Sequence, residues 1–314
     1  MNTPNLKEQG QHNMGFRDSF KELQNKAQQA MNGGNAPPIP WGSKPGSNVA
    51  GAAQATPYWQ PQCAPHVPVS EHFKHEQGNW GWGNNEAQNY VDDQANSFHT
   101  PDGALIVHAI IQHGHPQDDR KFTSARLSSH QTLARCRGSL SARVTAPVAA
   151  GIWPAFWLLP ADPFQWPNDG EMDIFEAWNG DKTNHTCMHW GHFNGEDHDK
   201  HRVVETPIPH IDSPHGIRFD FAWDEDEGNG NGRMVWYIDG KPVMKASKPP
   251  GTRPMKDFRI LINTAVGGNV CQGTMPQDGT YEFVIRDLAM WDAPPGGWDK
   301  FSKDWRNTKE GHGM

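Results

Sequence analysis

An all-β sandwich of antiparallel strands is the fold class this sequence predicts, and three observations carry it. Glycine and proline are plentiful, 32 and 26 in 314 residues. No long amphipathic helix pattern interrupts the centre of the chain. From residue 58 onward, short apolar or alternating runs are separated by turn signals at fairly regular intervals, as a sandwich requires. Sandwiches of this kind run past about 200 residues as a single domain.

Residues 1–57 stand apart. Gln, Asn, Gly and Pro dominate them, and PPIP at 37–40 followed by WGSKPGS reads as an extended, low-complexity linker. Within it Phe16, Phe20, Leu23 and Ala27 recur at three and four, the spacing of one weakly amphipathic helix over 14–31. The body is expected over 58–300. Asp102-Gly103 turns the chain into an apolar core strand at 104–111, followed by strands at 123–127 and 138–144, the latter alternating Leu140, Ala142 and Val144. The run 151–160, GIWPAFWLLP, is almost continuously apolar and leads through a Pro-rich loop towards an acidic strand. Further strands are expected at 218–223, at 234–238 with an Asp239-Gly240 turn, at 258–265 and at 281–291. Residues 301–314 read as a polar tail.

A formal net charge of −8 argues against nucleic acid and against an anionic membrane surface as partners. No apolar run is long enough to span a bilayer. Cys63, Cys136, Cys187 and Cys271 form no C-x-x-C pair, so neither a zinc nor a redox motif is signalled; two disulfides are allowed, with connectivity open. His185, His189, His192, His198 and His201 crowd together, yet their spacing fits no zinc signature and the residues between them read as a loop. Asn184-His185-Thr186 is a glycosylation sequon, which matters only on a secretory route. Fourteen tryptophans exceed ordinary core needs, and flat aromatic faces are what a sugar ring stacks on.

The acidic strand carries the chemistry. Glu171, Asp173 and Glu176 lie within six positions, separated only by apolar residues. Strict alternation puts Glu171 and Asp173 on one face and Met172 and Ile174 on the other, but turns Glu176 away. A β-bulge inserting one unpaired residue brings Glu176 back beside the other two. Three carboxylates on one surface raise the cost of ionising each other. Such an arrangement suits a retaining glycosidase, in which one carboxylate attacks the anomeric carbon and a protonated partner roughly 5–5.5 Å away donates to the leaving oxygen. The middle acid can share a proton with the nucleophile.

GNNEAQNY at 83–90, Ser124 with Arg126, GIWPAFWLLP, WPNDGEMDIFEAWN at 166–179 and INTAVGGN at 262–269 together resemble glycoside hydrolase family 16, in its laminarinase branch of endo-β-1,3- and endo-β-1,3(4)-glucanases. The resemblance covers about residues 80–292. It implies a concanavalin-like β-jelly roll of two antiparallel sheets with a glucan cleft on the concave face. It also implies Glu171 as nucleophile, Asp173 as its helper and Glu176 as acid/base. Trp166 matches a tryptophan that stacks on a donor-side sugar, and Trp157 a cleft wall, with core packing as its other reading. His189 matches a histidine beside the acid/base, with Trp190 next to it. Asn85 and Arg126 correspond to residues that bind sugar hydroxyls, Asn85 having a turn role as its alternative, and Asn263 joins this set.

The implied activity is endo-acting, retaining hydrolysis of β-1,3-glucan or mixed-linkage β-1,3/1,4-glucan. Transglycosylation on β-glucan and non-catalytic glucan binding are the alternatives. The implied partner is a β-glucan polysaccharide, acted on by a monomer. No cofactor is needed for catalysis; the resemblance allows a structural calcium with Asp287 as ligand. A tryptophan expected soon after the Gly267-Gly268 pair is missing. Without an apolar leader in its first residues the sequence points to the cytoplasm, whereas the substrate class points to extracellular or cell-wall action.

Overall fold

The computed structural model describes residues 56–191, 201–225 and 231–313. The linker and the helix expected at 14–31 lie outside the described residues, as do His192 and His198. Sixteen strands follow in chain order. The first six are β1 (Phe73–Glu76), β2 (Asn89–Tyr90), β3 (Ser97–His99), β4 (Leu105–Ile111), β5 (Phe122–Ser124) and β6 (Arg126–Thr132). Five more are β7 (Arg137–Thr145), β8 (Ile152–Pro160), β9 (Glu171–Glu176), β10 (Thr183–His189) and β11 (His201–Pro207). The last five are β12 (Ile217–Glu225), β13 (Gly232–Ile238), β14 (Lys241–Ser247), β15 (Phe258–Val266) and β16 (Gly279–Trp291). No helix among the described residues is long and apolar enough to cross a membrane.

Two sheets result. One has seven strands in the order β1-β6-β15-β8-β9-β10-β11; the other has nine, β14-β13-β12-β7-β16-β4-β5-β2, with β3 paired to β4 off that path. Among the described residues all pairings between these strands are antiparallel except the short β2–β5 contact. The core lies between the sheets. Phe156, Met172, Ile174, Phe175 and Ile262 from the first meet Phe219, Phe221, Trp236 and Phe283 from the second, all at most 2% exposed. Burial of large side chains such as these is worth about 1.5–3 kcal/mol each, and β8 and β15, in the middle of their sheet, are buried along nearly their whole length.

Two expectations are corrected, for 123–127 and for 301–314. The stretch 123–127 is not one strand, because β5 pairs in the nine-stranded sheet and β6 in the seven-stranded one. The chain crosses between layers at the buried Ala125, a step that leaves no mark on side-chain alternation. His185, His189 and His201 lie on β10 and β11, which pair along seven residues each, and the loop expected between them, from 192 to 200, lies outside the described residues. Residues 301–314 are not a free tail. Helix α1 (Gly297–Asn307) buries Phe301 against Ala222, Val235 and Tyr237, with Trp298 and Trp305 packed alongside. Those three aromatics recur at three and four, a helical stripe hidden among charges, and Glu310 and His312 then bridge to Lys245 and Val203. Of the open alternatives for the cysteines, the structure has all four as free thiols.

Candidate active site

The seven-stranded sheet turns its outer face to a cleft of about 450 Å³, floored by the acids of β9. The expected bulge is present and falls at Ile174. On β8, Trp157 faces Asp173 and Phe156 faces Phe175, so Ile174 has no partner. Ile174 and Phe175 therefore both enter the core, and Glu176 returns to the face of Glu171 and Asp173.

A bulge frees backbone groups that must be satisfied when buried. Asn184 does this. Its Oδ1 accepts the Glu176 N–H at 3.0 Å, and its Nδ2 donates to the Ile174 carbonyl at 3.3 Å and to Thr186 Oγ1 at 2.8 Å. The β9–β10 ladder is paired only at Glu171, Met172 and Asp173, so this side chain takes over where backbone pairing stops. Asn184 is wholly buried, and both ends of its amide are spent. The apparent sequon is a structural brace.

Two indoles orient the glutamates. Trp166 Nε1 donates to Glu171 Oε2 at 2.7 Å, and Trp153 Nε1 donates to Glu176 Oε1 at 2.7 Å. Trp157 lines the cleft rather than the core, and its Nε1 donates to Asn263 Oδ1 at 2.8 Å. Asn263 in turn donates to the Tyr90 hydroxyl at 3.1 Å, so its carbonyl and amide are both anchored in the cleft floor. The Arg126 guanidinium lies between the rings of Trp82 and Trp157, 4.9 and 4.7 Å from their centroids. Such cation–π contacts hold a cation where little water reaches.

Burial acts on all three acids. It pushes Glu171 up to about 7, against the Trp166 hydrogen bond and the charge of Arg126, which pull it down. It pushes Glu176 up to about 8, helped by repulsion from Glu171 and opposed by the Trp153 hydrogen bond. Asp173 is raised well above the carboxylate range by burial and by both glutamates. Glu171 therefore ionises first, while Glu176 and Asp173 keep their protons longer.

The remaining expectations divide. His189 is not beside Glu176. The register of β10 sets it across from Glu171, with Nε2 3.9 Å from Glu171 Oε1 and 3.7 Å from Asp173 Oδ2. Burial and the neighbouring His201 push its imidazole down to about 3, so it is neutral. Trp190, one residue on, packs against the core with the Arg202 guanidinium 5.1 Å from its ring centroid. Asn85 is exposed at a positive φ of 55° and donates to Asn269 Oδ1 at 2.7 Å. That is the turn role; its neighbour Asn84 lines the cleft instead. Asp287 is 78% exposed and lies 3.5 Å from Arg143 Nε.

Three cleft groups went unrecognised in the sequence. Trp153 was hidden in an apolar run, although it shares a face with Trp157 by alternation. Glu86 is a fourth carboxylate, 8% exposed. It accepts from Gln88 Nε2 at 2.6 Å and from Tyr90 Oη at 3.3 Å, and burial pushes it up to about 7. Trp82 lines the cleft. Trp80, the one exposed large hydrophobic side chain among the described residues, lies against it with ring centroids 4.1 Å apart. The loop after β15 approaches this rim so closely that a Cβ on Gly268 would meet the Asn84 carbonyl at 3.3 Å.

A family model described as an XgeA-like catalytic domain of glycoside hydrolase family 16 matches residues 84–209, the segment holding all three acids and their braces. Over those residues the chain is similar to glycoside hydrolase family 16. Among the relatives, a glucan endo-1,3-beta-glucosidase A1 of Niallia circulans is 27% identical over 65% of this chain. A glucan endo-1,3-beta-glucosidase of Cryptopygus antarcticus is 28% identical over 65%. The chain spans 32% of the length of the first and 78% of the second. The laminarinase catalytic domain of Thermotoga maritima superposes with a TM-score of 0.61 at 25% identity, covering 77% of this chain and all of that domain. The sandwich is thus the jelly roll that the resemblance implied.

Proposed function

We propose that this chain is an endo-acting, retaining hydrolase of β-1,3-glucan that also accepts mixed β-1,3/1,4-linkages. The observation that carries the reading is the bulge at Ile174, which puts three carboxyls of graded proton affinity on one cleft face. Supporting the substrate class are the endo-1,3-beta-glucosidase relatives and a relative named an endo-1,3-1,4-beta-glycanase in Rhizobium meliloti.

Trp166 engages Glu171 Oε2, leaving Oε1 to attack the anomeric carbon. Trp153 engages Glu176 Oε1, leaving Oε2 to carry the proton that the departing sugar oxygen takes. The C–O bond breaks as the glycosyl–Glu171 ester forms. Glu176, now a carboxylate in a cleft that raises its basicity, deprotonates the water that cleaves this ester and is reprotonated in the same step. Asp173 holds a proton to share with Glu171 while charge on that oxygen changes. Arg126, Asn263 and the indole face of Trp157 supply polar and stacking contacts to the sugar.

A reducing-sugar assay on laminarin, lichenan, xyloglucan and agarose tests this. Release from the first two alone is expected, with oligosaccharide products from the start of the reaction. Glu171→Ala should lose at least about 10⁴-fold in kcat while still binding laminarin, and azide should rescue Glu171→Gly with a glycosyl azide of inverted configuration. Elongated products without new reducing ends would replace hydrolysis with glycosyl transfer. A near-normal rate in Glu171→Ala would remove the mechanism.

A further inference from the structure

Beside the floor of the cleft, next to Asp173, lies a thiol that the glycosidase chemistry does not use. Cys187 pairs directly with Asp173 across the β9–β10 ladder, and Cys187 and His189, two apart on β10, share one face. Cys187 Sγ lies 3.2 Å from His189 Nε2, and that nitrogen lies 3.7 Å from Asp173 Oδ2. All three atoms fall within 4.8 Å of one another. Asp173 is 2% exposed, and its Oδ2 has no hydrogen-bond partner among the described residues. An acceptor left bare in such a place is uncommon and invites a ligand.

We propose that Cys187, His189 and Asp173 form a binding site for a thiophilic divalent cation, Zn²⁺ or Cd²⁺, whose occupancy shuts the cleft down. Bonds of about 2.3 Å to sulfur and about 2.0–2.2 Å to nitrogen and oxygen put tetrahedral ligand atoms roughly 3.3–3.6 Å apart. The observed separations need only small side-chain rotations to reach this. Thiolate and carboxylate together balance the ion's two charges, the thiol and carboxyl protons passing to solvent as it binds. The sulfur and imidazole select against Ca²⁺ and Mg²⁺, which take oxygen ligands in larger number. Glu171 Oε1, 3.9 Å from the same imidazole nitrogen, is within reach of the fourth position. A cation there would hold Asp173 ionised and bind the oxygen that has to attack the sugar. The site rests on geometry alone; only its effect on turnover depends on the proposed function.

The test uses the full chain, freed of metal with chelator. Cd²⁺ should raise a thiolate-to-metal charge-transfer band in the ultraviolet at one equivalent, and Zn²⁺ should displace it. Cys187→Ala should abolish the band, while Cys271→Ser, which removes the other buried thiol, should keep it. Zn²⁺ should inhibit laminarin hydrolysis reversibly, and Cys187→Ala, measured against its own metal-free rate, should need at least about tenfold more Zn²⁺ for half inhibition. A band that persists in Cys187→Ala, or no band in the wild-type chain, overturns the proposal. If the chain hydrolyses no glucan yet forms the Cys187-dependent band, the metal site stands and the functional reading falls.

Discussion

Two aspartates are buried on opposite sheets, and the protein treats them differently. Asp220 on β12 is fully enclosed, yet Arg218 reaches it through Nε and Nη2 at 2.8–3.0 Å and the Ser141 hydroxyl donates to it as well. Asp173 on β9 is nearly as deep, but among the described residues no cation bonds to it and one oxygen is unpartnered, and two further acids press on it. Burying a carboxylate without a partner costs several kcal/mol. The fold meets that cost at Asp220 by pairing and leaves it unmet at Asp173. A buried acid with its partners in place is architecture; one left without them is chemistry held in reserve.

The reciprocal pair of variants breaks this contrast most directly. Asp173→Asn should lower kcat by about 10²-fold with no loss of stability to denaturant. Asp220→Asn should cost about 1–3 kcal/mol of stability while the folded fraction keeps its rate. If both variants lost stability alike, the distinction would be empty.

The brace under the bulge comes next. Asn184→Ala leaves the Glu176 N–H and the Ile174 carbonyl unpaired in a dry site, so denaturant unfolding should show a loss of about 2–4 kcal/mol. Its residual rate should fall too, since Glu176 loses its anchor.

The pH dependence separates the acids further. Productive enzyme needs Glu171 ionised and Glu176 protonated, so kcat/KM should peak between about 7 and about 8 and fall tenfold per unit outside. The same groups bind protons more tightly folded than unfolded, where their ordinary value is 4.5. Their contribution to stability is thus complete below about pH 4.5 and is lost as pH rises through about 7 and 8. Glu176→Gln should therefore outlast the wild type at pH 9 by about 1 kcal/mol or more, and this advantage should vanish at pH 4. Equal stabilities at both pH values would contradict the inferred burial.

The smallest change is expected from Trp157→Phe. It keeps an aromatic face but removes the donor to Asn263, and should raise KM a few-fold with kcat nearly unchanged, about 0.5–1.5 kcal/mol in binding. A large drop in kcat would instead place Trp157 at the reacting bond.

Much of this was legible in residue order. The alternation of 138–144 and the apolar run 151–160 located β7 and β8, and the Glu-x-Asp-x-x-Glu spacing already demanded a bulge, because a period of two cannot seat all three acids on one face. The helix α1 was not read, because the charges between Trp298, Phe301 and Trp305 masked their helical spacing. What could not be read locally depends on partners distant in the chain. Which side of Glu171 receives His189 follows from the β9–β10 register, and Asn184 looked like a surface sequon until its amide was seen filling the gap beside Ile174. Glu86 became a cleft acid only because the loop after β15 closes over the 83–90 turn.

By itself, then, the sequence determined the layered β architecture and the acids of the proposed reaction, since periodicity and the spacing of titratable groups are local properties. Tertiary structure decided which of those acids stay unpaired, which indole holds which glutamate, and what lies beneath them. Those depend on register and on burial, and both arise only when strands far apart in the chain are brought together.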